Sequence, residues 1–506
     1  MQHILSLDLG TTAIKVALID TAGRVLAAST QEYALLTPST LAVELEVETY
    51  WRAFKAGVAE VLAASRVDPA AVAVLGISAQ GETLICVDAA GRPLRNAIVW
   101  MDNRAQAEAE ALSRDFDRKL TYRTTGQVSI VPTWPAAKIL WIREHEPEIF
   151  ARTAKFLLIE DYFIQRLTGA CVAEGSLLCS TVYWDITTKQ YWPDMLARLG
   201  IGEDRLPEIR ESGAPVGTLL PAVARELGLT PELTVCTGAL DQAAGAVGVG
   251  NIAPGVFSEN TGAALAICAT VGAPVLDPNM QMPCHYHALP DTYMAHTFTT
   301  GGMVLKWFRD RFCTEELAVG RLAGMDPYDI LGREAAGVAP GCDGLLMLPH
   351  LQGAMAPEDN PKAKGVFYGV TLRHTRAHFV RSILEAIAFI VRRNIEILEG
   401  MGIAVHEIRC LGGGSRSDVW SQIKADVTGR PVVRMENEEA ACLGAAIVAG
   451  SGAGLFPSLA SAVAGMARPK RRFEPDPATA AVYAERYASS QKLYSSLLEL
   501  FAADRS

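Results

Sequence analysis

Three short apolar runs separated by turn residues open the chain. Ile4–Asp8 reads as a strand, Gly10-Thr11-Thr12 as a turn and Ala13–Asp20 as a second strand rich in Ile, Val and Leu. Thr21-Ala22-Gly23 turns again into a third strand, Arg24–Ser29. The pattern predicts three antiparallel strands at the head of an α/β protein. The period then lengthens to that of a helix over Val47–Ser65. A buried strand, Val72–Ser78, a polar loop, Ala79–Glu82, and another strand, Thr83–Val87, follow, the last ending in the turn Asp88-Ala89-Ala90-Gly91. From there to about residue 200 the helical period dominates, and Val235–Thr237 is a short strand that delivers the loop Gly238–Gly250.

Near Ala253-Pro254-Gly255 the theme starts again. Val256–Glu259 and Ala264–Cys268 read as strands around Asn260-Thr261-Gly262, a repeat of shape without repeated letters. Arg381–Leu398 is a long helix with Ile383, Ile387, Ile390 and Val391 on one stripe, ended by Gly400 and Gly402. Ile408–Leu411 is a strand feeding Gly412-Gly413-Gly414 and a helix from Ser417. A last helix, about Ala478–Phe501, sets Tyr483, Tyr487, Tyr494, Leu497 and Phe501 near one face, the pattern of a packing helix. Two domains are expected, residues 1–250 and 251–506.

Composition narrows the class. The chain has 506 residues, half of them hydrophobic and a fifth charged, enough apolar mass for two cores. A net charge of −10 argues against nucleic acid or an anionic membrane as the main partner. The N-terminus has no signal-peptide pattern, and no apolar run reaches the roughly 18 residues of a membrane span. The ten cysteines are scattered with no Cys-x-x-Cys pair, which reads as reduced thiols of a cytoplasmic protein.

Four segments carry candidate chemistry. In Asp8-Leu9-Gly10-Thr11-Thr12, with Lys15 after it, a strand-end carboxylate can hold Mg²⁺ through water, and the threonines offer donors to phosphate. Asp and Gly also favour an ordinary hairpin turn. In Gly238-Ala239-Leu240-Asp241-Gln242 a lone carboxylate sits among small residues. An aspartate with its ordinary pKa near ~4 is ionised and can take a proton from a hydroxyl, or it can cap the helix that follows. Glu259-Asn260-Thr261-Gly262 is a second phosphate-type turn or a plain β-turn, and Leu411-Gly412-Gly413-Gly414-Ser415-Arg416-Ser417 is a strand–glycine–helix element against which a flat ring or a phosphate can lie. Neither a Walker A loop nor the dinucleotide glycine spacing is present. Cys284, His285 and His287 have metal-ligand types but cramped spacing, His350 and His378 read as structural, and Lys470-Arg471-Arg472 reads as a solvated patch.

Taken in order, these segments resemble the FGGY family of carbohydrate kinases over about residues 3–455. Gly365-Val366-Phe367-Tyr368-Gly369-Val370, seven residues, then His378-Phe379-Val380-Arg381-Ser382-Ile383-Leu384-Glu385 is similar to the family's C-terminal signature. Thr133-Trp134-Pro135-Ala136-Ala137-Lys138-Ile139-Leu140-Trp141-Ile142-Arg143-Glu144-His145 is similar to its N-terminal one except at the first position.

The resemblance implies an α/β fold of two actin-like, ribonuclease-H-like ATPase domains around a central cleft, sugar and catalysis in the first, nucleotide in the second. ATP and Mg²⁺ would be used, a small sugar or polyol would be the partner, and a homodimer is among the implied assemblies. Asp241 would be the general base, Asp8 would place Mg²⁺, and Thr11, Thr12 and Lys15 would lie near the phosphates. Thr261, Gly262, Gly302, Lys306, Gly413, Gly414 and Asp418 would contact the nucleotide. Gln80, Glu82, Asp102 (in Trp100-Met101-Asp102-Asn103-Arg104) and Gln242 would face the sugar.

The sugar is left open between two subgroups. Xylulokinases have Met-His where this chain has Gly81-Glu82, and Gly-Glu-Arg-Thr-Pro where it has Gly353-Ala354-Met355-Ala356-Pro357. Glu82-Thr83, Asp241-Gln242 and Ala356-Pro357 look like glycerol kinases, but the arginine those carry before the glutamate is Gly81 here and their substrate tyrosine falls near Thr133. Ala243–Gly250 and Asn360–Gly369 look xylulokinase-like. A pentulose such as xylulose is favoured, with glycerol, erythritol or another polyol as the alternative. A non-enzymatic actin-like ATPase switch is the rival class, opposed by Asp241 and the sugar-loop carboxylates.

Overall fold

A computed structural model describes residues 2–504. They form two compact units that interleave along the chain. The first takes residues up to Ile252 and also Val271–Met294 and Glu439–Arg468; the second takes the remainder.

The first unit is built on a sheet in the order Pro215–Thr218, Thr234–Cys236, Val72–Ala79, His3–Leu9, Ala13–Asp20, Val25–Glu32. His3–Leu9 pairs antiparallel with Ala13–Asp20 and parallel with Val72–Ala79. Ile4, Leu5, Ser6 and Leu7 are all buried, as expected of a central strand covered on both faces. Val25–Glu32 is the edge and exposes alternate residues. The helix Val47–Ser65 buries Tyr50, Trp51, Phe54, Val58 and Val61 on one stripe and ends at Arg66 in the left-handed conformation, φ 55°.

The helix Ala440–Gly452 also packs here, although it follows the second unit's strands in sequence. Glycines allow this. A Cβ on Gly76 would lie 2.4 Å from the Ala445 carbonyl oxygen, and one on Gly444 would lie 1.7 Å from that of Ala244. The stretch expected to be mostly helical up to residue 200 also contains short strands. Glu44–Leu45, Ala97–Ile98, Leu84–Val87 and Lys155–Leu158 make a four-stranded sheet.

The second unit repeats the plan in the order Tyr293–Thr300, Ala264–Val271, Gly255–Thr261, Val405–Leu411, Val432–Met435, Pro469–Phe473. Gly255–Thr261 pairs antiparallel with Ala264–Val271 and parallel with Val405–Leu411. The long helix runs Arg376–Gly400, starting earlier than its apolar stripe suggests, because Thr375 and His378 cap it. The last helix is interrupted at Leu497, giving Ala480–Ser496 and Leu498–Ala503, with Tyr483, Tyr487 and Phe501 buried. Lys470-Arg471-Arg472 lies on an exposed edge strand, where Arg471 pairs with Asp418 and Arg472 with Glu407 and Glu474. All ten cysteines are free, and nine are buried. Among the described residues no helix is long and apolar enough to cross a membrane.

Candidate active site

In the first unit, loops at the ends of the central strands gather three carboxylates: Asp8, Glu82 and Asp241. Asp8 lies near the end of the first strand, and the Ser78 hydroxyl on the neighbouring parallel strand donates to it at 2.9 Å. Burial raises its pKa, opposed by that hydrogen bond and by Lys15. Lys15 itself pairs with Glu439 at 2.6 Å. The turn between the strands closes with the Gly10 N–H donating to the Ala13 carbonyl at 3.1 Å. Thr11 accepts from the Trp100 indole N–H at 2.8 Å, and a hydroxyl that accepts there still has its own proton to donate. Thr12 is exposed beside it.

Glu82 has φ 54°, a sparsely populated conformation for a residue with a side chain. The wholly buried Lys138 holds it there by donating to the carbonyls of Glu82 at 2.9 Å and Val99 at 3.0 Å. Burial pushes the Glu82 carboxyl up and the Lys138 ammonium down, while the Ser180 hydroxyl bonded to Glu82 works the other way. Gln80 donates to the Tyr50 hydroxyl at 3.2 Å. Its buried carbonyl oxygen has no partner among the described residues, leaving an acceptor for a ligand hydroxyl.

Asp241 begins the helix Asp241–Gly248, and Leu240, not Asp241, takes the capping position. The Gln242 N–H donates to its carboxylate at 2.7 Å. Its pKa is pushed up to about 7, first by burial and then by the negative charges of Asp8 and Glu82. The ordinary aspartate value expected from sequence is thus replaced by one near neutrality, where a general base works best. Asp102, expected beside the sugar, is wholly buried. Its carboxylate binds the Arg104 guanidinium at 2.9 Å and the Val43 N–H at 2.6 Å, so it braces the Trp100 loop.

The second unit contains a cavity of about 670 Å³. Thr261, Gly262, Gly302, Lys306, Gly413 and Gly414 all line it, over an apolar floor of Leu305, Val380, Leu384 and Trp420. The glycines differ in what they permit. Gly412 has φ 76° and would place a Cβ 2.3 Å from the Asn260 side chain, and Gly414 would place one 2.7 Å from Thr261 Cβ. A Cβ on Gly413 meets no protein atom within 4 Å, so the space its missing side chain leaves is open to a ligand. Asp418 does not line the cavity; its carboxylate pairs with Arg471 and, at 3.5 Å, with Arg434.

Beneath Thr261 is a group that sequence reading gave no role. Lys424 and Glu259 are fully buried and paired at 2.8 Å, and Lys424 also donates to the Thr261 hydroxyl at 2.9 Å. The Thr261 hydroxyl donates to Glu259. The sequence signal was faint: a glutamate two residues before the threonine, and a lysine within the helix Asp418–Thr428.

His285 and His287 are structural. His285 contacts Cys179 and Gln127, both at 3.3 Å, and His287 lies 3.2 Å from the Asn251 carbonyl. Among the described residues the sole grouping of three His, Cys or acidic side chains close enough for a metal is Glu108, Glu144 and His145, and none of them is a candidate above.

Residues 3–248 match the N-terminal domain of the FGGY family of carbohydrate kinases, and residues 273–453 match its C-terminal domain. Xylulose kinase of Bacillus subtilis is 31% identical, with 100% of this chain and 99% of that protein aligned. A gluconokinase of Bacillus licheniformis is 30% identical over 88% of this chain and 86% of its own length. The ligand-bound xylulose kinase structure from Lactobacillus acidophilus matches with TM-score 0.89 at 25% identity, covering 98% of each chain. The two sheets are those of the actin-like, ribonuclease-H-like ATPase fold. With both domains matched and relatives aligned from end to end, the chain belongs to the FGGY family of carbohydrate kinases and is an ATP-dependent sugar kinase.

Proposed function

We propose that the protein transfers the γ-phosphoryl group of ATP to a hydroxyl of a ketopentose, xylulose being favoured. Asp241 takes the hydroxyl proton as the sugar oxygen attacks the γ-phosphorus; the bond to the β–γ bridging oxygen breaks and ADP leaves. The observation that carries Asp241 as the base is its place at the start of the helix Asp241–Gly248, its carboxylate bonded to the Gln242 N–H and its pKa raised by burial and by Asp8 and Glu82. Two negative neighbours also suit a cation. Mg²⁺ comes with the nucleotide as substrate, and Asp8 is the carboxylate to meet it through water.

The cavity lined by Thr261, Gly302, Lys306, Gly413 and Gly414 takes the nucleotide, its apolar floor under the adenine and its glycines along the phosphates. Gln80 supplies its free amide oxygen, and Glu82 and Gln242 their side chains, to the sugar. Asp102 shapes that site from behind through Arg104. The reduced, largely buried thiols suit the cytoplasm. Xylulose kinase relatives aligned along the whole chain support the ketopentose.

ADP release should be measured with xylulose, ribulose, gluconate, glycerol and erythritol. Turnover should be fastest with xylulose. Faster turnover of glycerol or gluconate moves the substrate assignment, and release of ADP with no acceptor dependence removes the kinase reading.

A further inference from the structure

The loop that carries Asp241 hangs from three buried side chains on other segments of the first unit. The Gly238 N–H donates to Glu160 Oε1 at 2.8 Å. Two residues on, the Leu240 N–H donates to Ser176 Oγ at 2.8 Å. Ser176 Oγ in turn donates to Glu174 Oε1 at 2.7 Å. Glu174 is fixed by three further donors, the Ser176 N–H at 2.7 Å, the Leu177 N–H at 2.7 Å and the Ser212 hydroxyl at 2.5 Å. Glu160, Glu174 and Ser176 are each fully buried. Strand pairing and close packing hold the loop as well. Ala239 and Leu240 pair with Ser78 and Ala79, and a Cβ on Gly238 would lie 2.0 Å from the Ile77 carbonyl oxygen.

We propose that Glu160 and the Glu174–Ser176 pair are positioning residues that fix where the Asp241 carboxylate stands, one on the N–H three residues before it and one on the N–H immediately before it. Such a device goes beyond a packing role, because it acts on two amides of the short segment that leads into the base. The same short segment reaches the sugar loop as well, since Ser180 bonds the Glu82 side chain. Burial, and after it the nearby Glu174 carboxylate, raise the Glu160 pKa well above its ordinary value. Its second oxygen has no partner among the described residues. A glutamine amide can accept the Gly238 N–H in the same way, whereas leucine cannot.

The inference rests on Asp241 being the base, and the test separates the two. Glu160→Leu, Glu160→Gln, Ser176→Ala, Asp241→Ala and the double variant Glu160→Leu/Asp241→Ala are assayed in the full chain with ATP and xylulose, with thermal melting and ADP binding measured alongside. A displacement of the order of an ångström costs about 10²-fold in rate, so Glu160→Leu and Ser176→Ala should lower kcat by about 10- to 100-fold while the KM for ATP stays unchanged. Glu160→Gln should restore most of kcat. Glu160→Leu should cause no further loss once Asp241 is alanine, as expected of residues acting as one unit. Asp241→Ala inactive with Glu160→Leu and Ser176→Ala intact would overturn the positioning alone. The same loss from Glu160→Leu in the double variant would also overturn it. Full activity of Asp241→Ala would remove the base, and this inference with it. Should Glu160→Leu not fold, Ser176→Ala, the smaller change, decides the matter.

Discussion

The two units share one strand plan and put it to opposite uses. By register Asp8 lies across from Ser78 on its parallel neighbour, and Asn260 lies across from Leu411 on its own. The turns that follow begin with Gly10 and Gly262, each closing back on the next strand. Beyond the parallel strand the first unit continues Gln80-Gly81-Glu82 and the second Gly412-Gly413-Gly414. One unit therefore carries carboxylates, Asp8 and Glu82, at and past these strand ends, while the other runs into three glycines past its parallel strand. The lesson is that the sheet fixes where chemistry can occur and the few residues past each strand decide which chemistry it is.

That contrast can be broken from either side. Asp241→Ala should lower kcat by about 10²- to 10⁴-fold with the KM for ATP within a few-fold, in steady-state assays. A larger effect on the ATP KM would mean that the acidic unit also holds the nucleotide. Lys424→Met should destabilise the fold by about 3–5 kcal/mol, since it strands the buried Glu259 charge; denaturant melts check this. Gly413→Val should raise the KM for ATP about tenfold or more and leave the sugar KM alone, because the new side chain enters ligand space from a Cβ that meets no protein atom within 4 Å.

The titration of Asp241 gives a fourth test. Its raised pKa means that the protonated, inactive form gains as pH falls, so kcat/KM for the sugar should drop about tenfold per unit below 7 and level off above it. A profile flat down to pH 5 would show an ordinary aspartate. The smallest effect is expected from Glu82→Gln, a several-fold rise in the sugar KM exceeding any change for ATP, since one acceptor is weakened and the amide still fits.

Much of this was legible in the chain. The helix Val47–Ser65 was found at both ends because its apolar stripe and the residues after it agree. The first strands and the glycine turns were found for similar local reasons. What escaped depends on partners far along the sequence. Lys424 sits on an amphipathic helix where a lysine ordinarily reaches water, and its carboxylate is 165 residues away. Glu160 bonds an amide 78 residues on. Asp102 was read as a ligand contact because its motif is local, whereas the residue that claims one of its oxygens, Val43, is 59 residues back. The near-neutral pKa of Asp241 comes first from burial and then from Asp8 and Glu82, which no local pattern places around it.

The helix Ala440–Gly452 is apolar on every side and completes the first unit late. During synthesis the opening 252 residues emerge, followed by most of the second unit, before this helix leaves the ribosome. Until then the strand bearing Gly76 and the helix Asp241–Gly248 lack the backbone meant to lie against them. A nascent chain in that interval offers bare sheet and small-residue surface to whatever is near, and a fragment cut at residue 252 keeps that surface permanently. The N-terminal half is thus a dependent piece of the enzyme: its maturation is gated by translation of sequence far downstream.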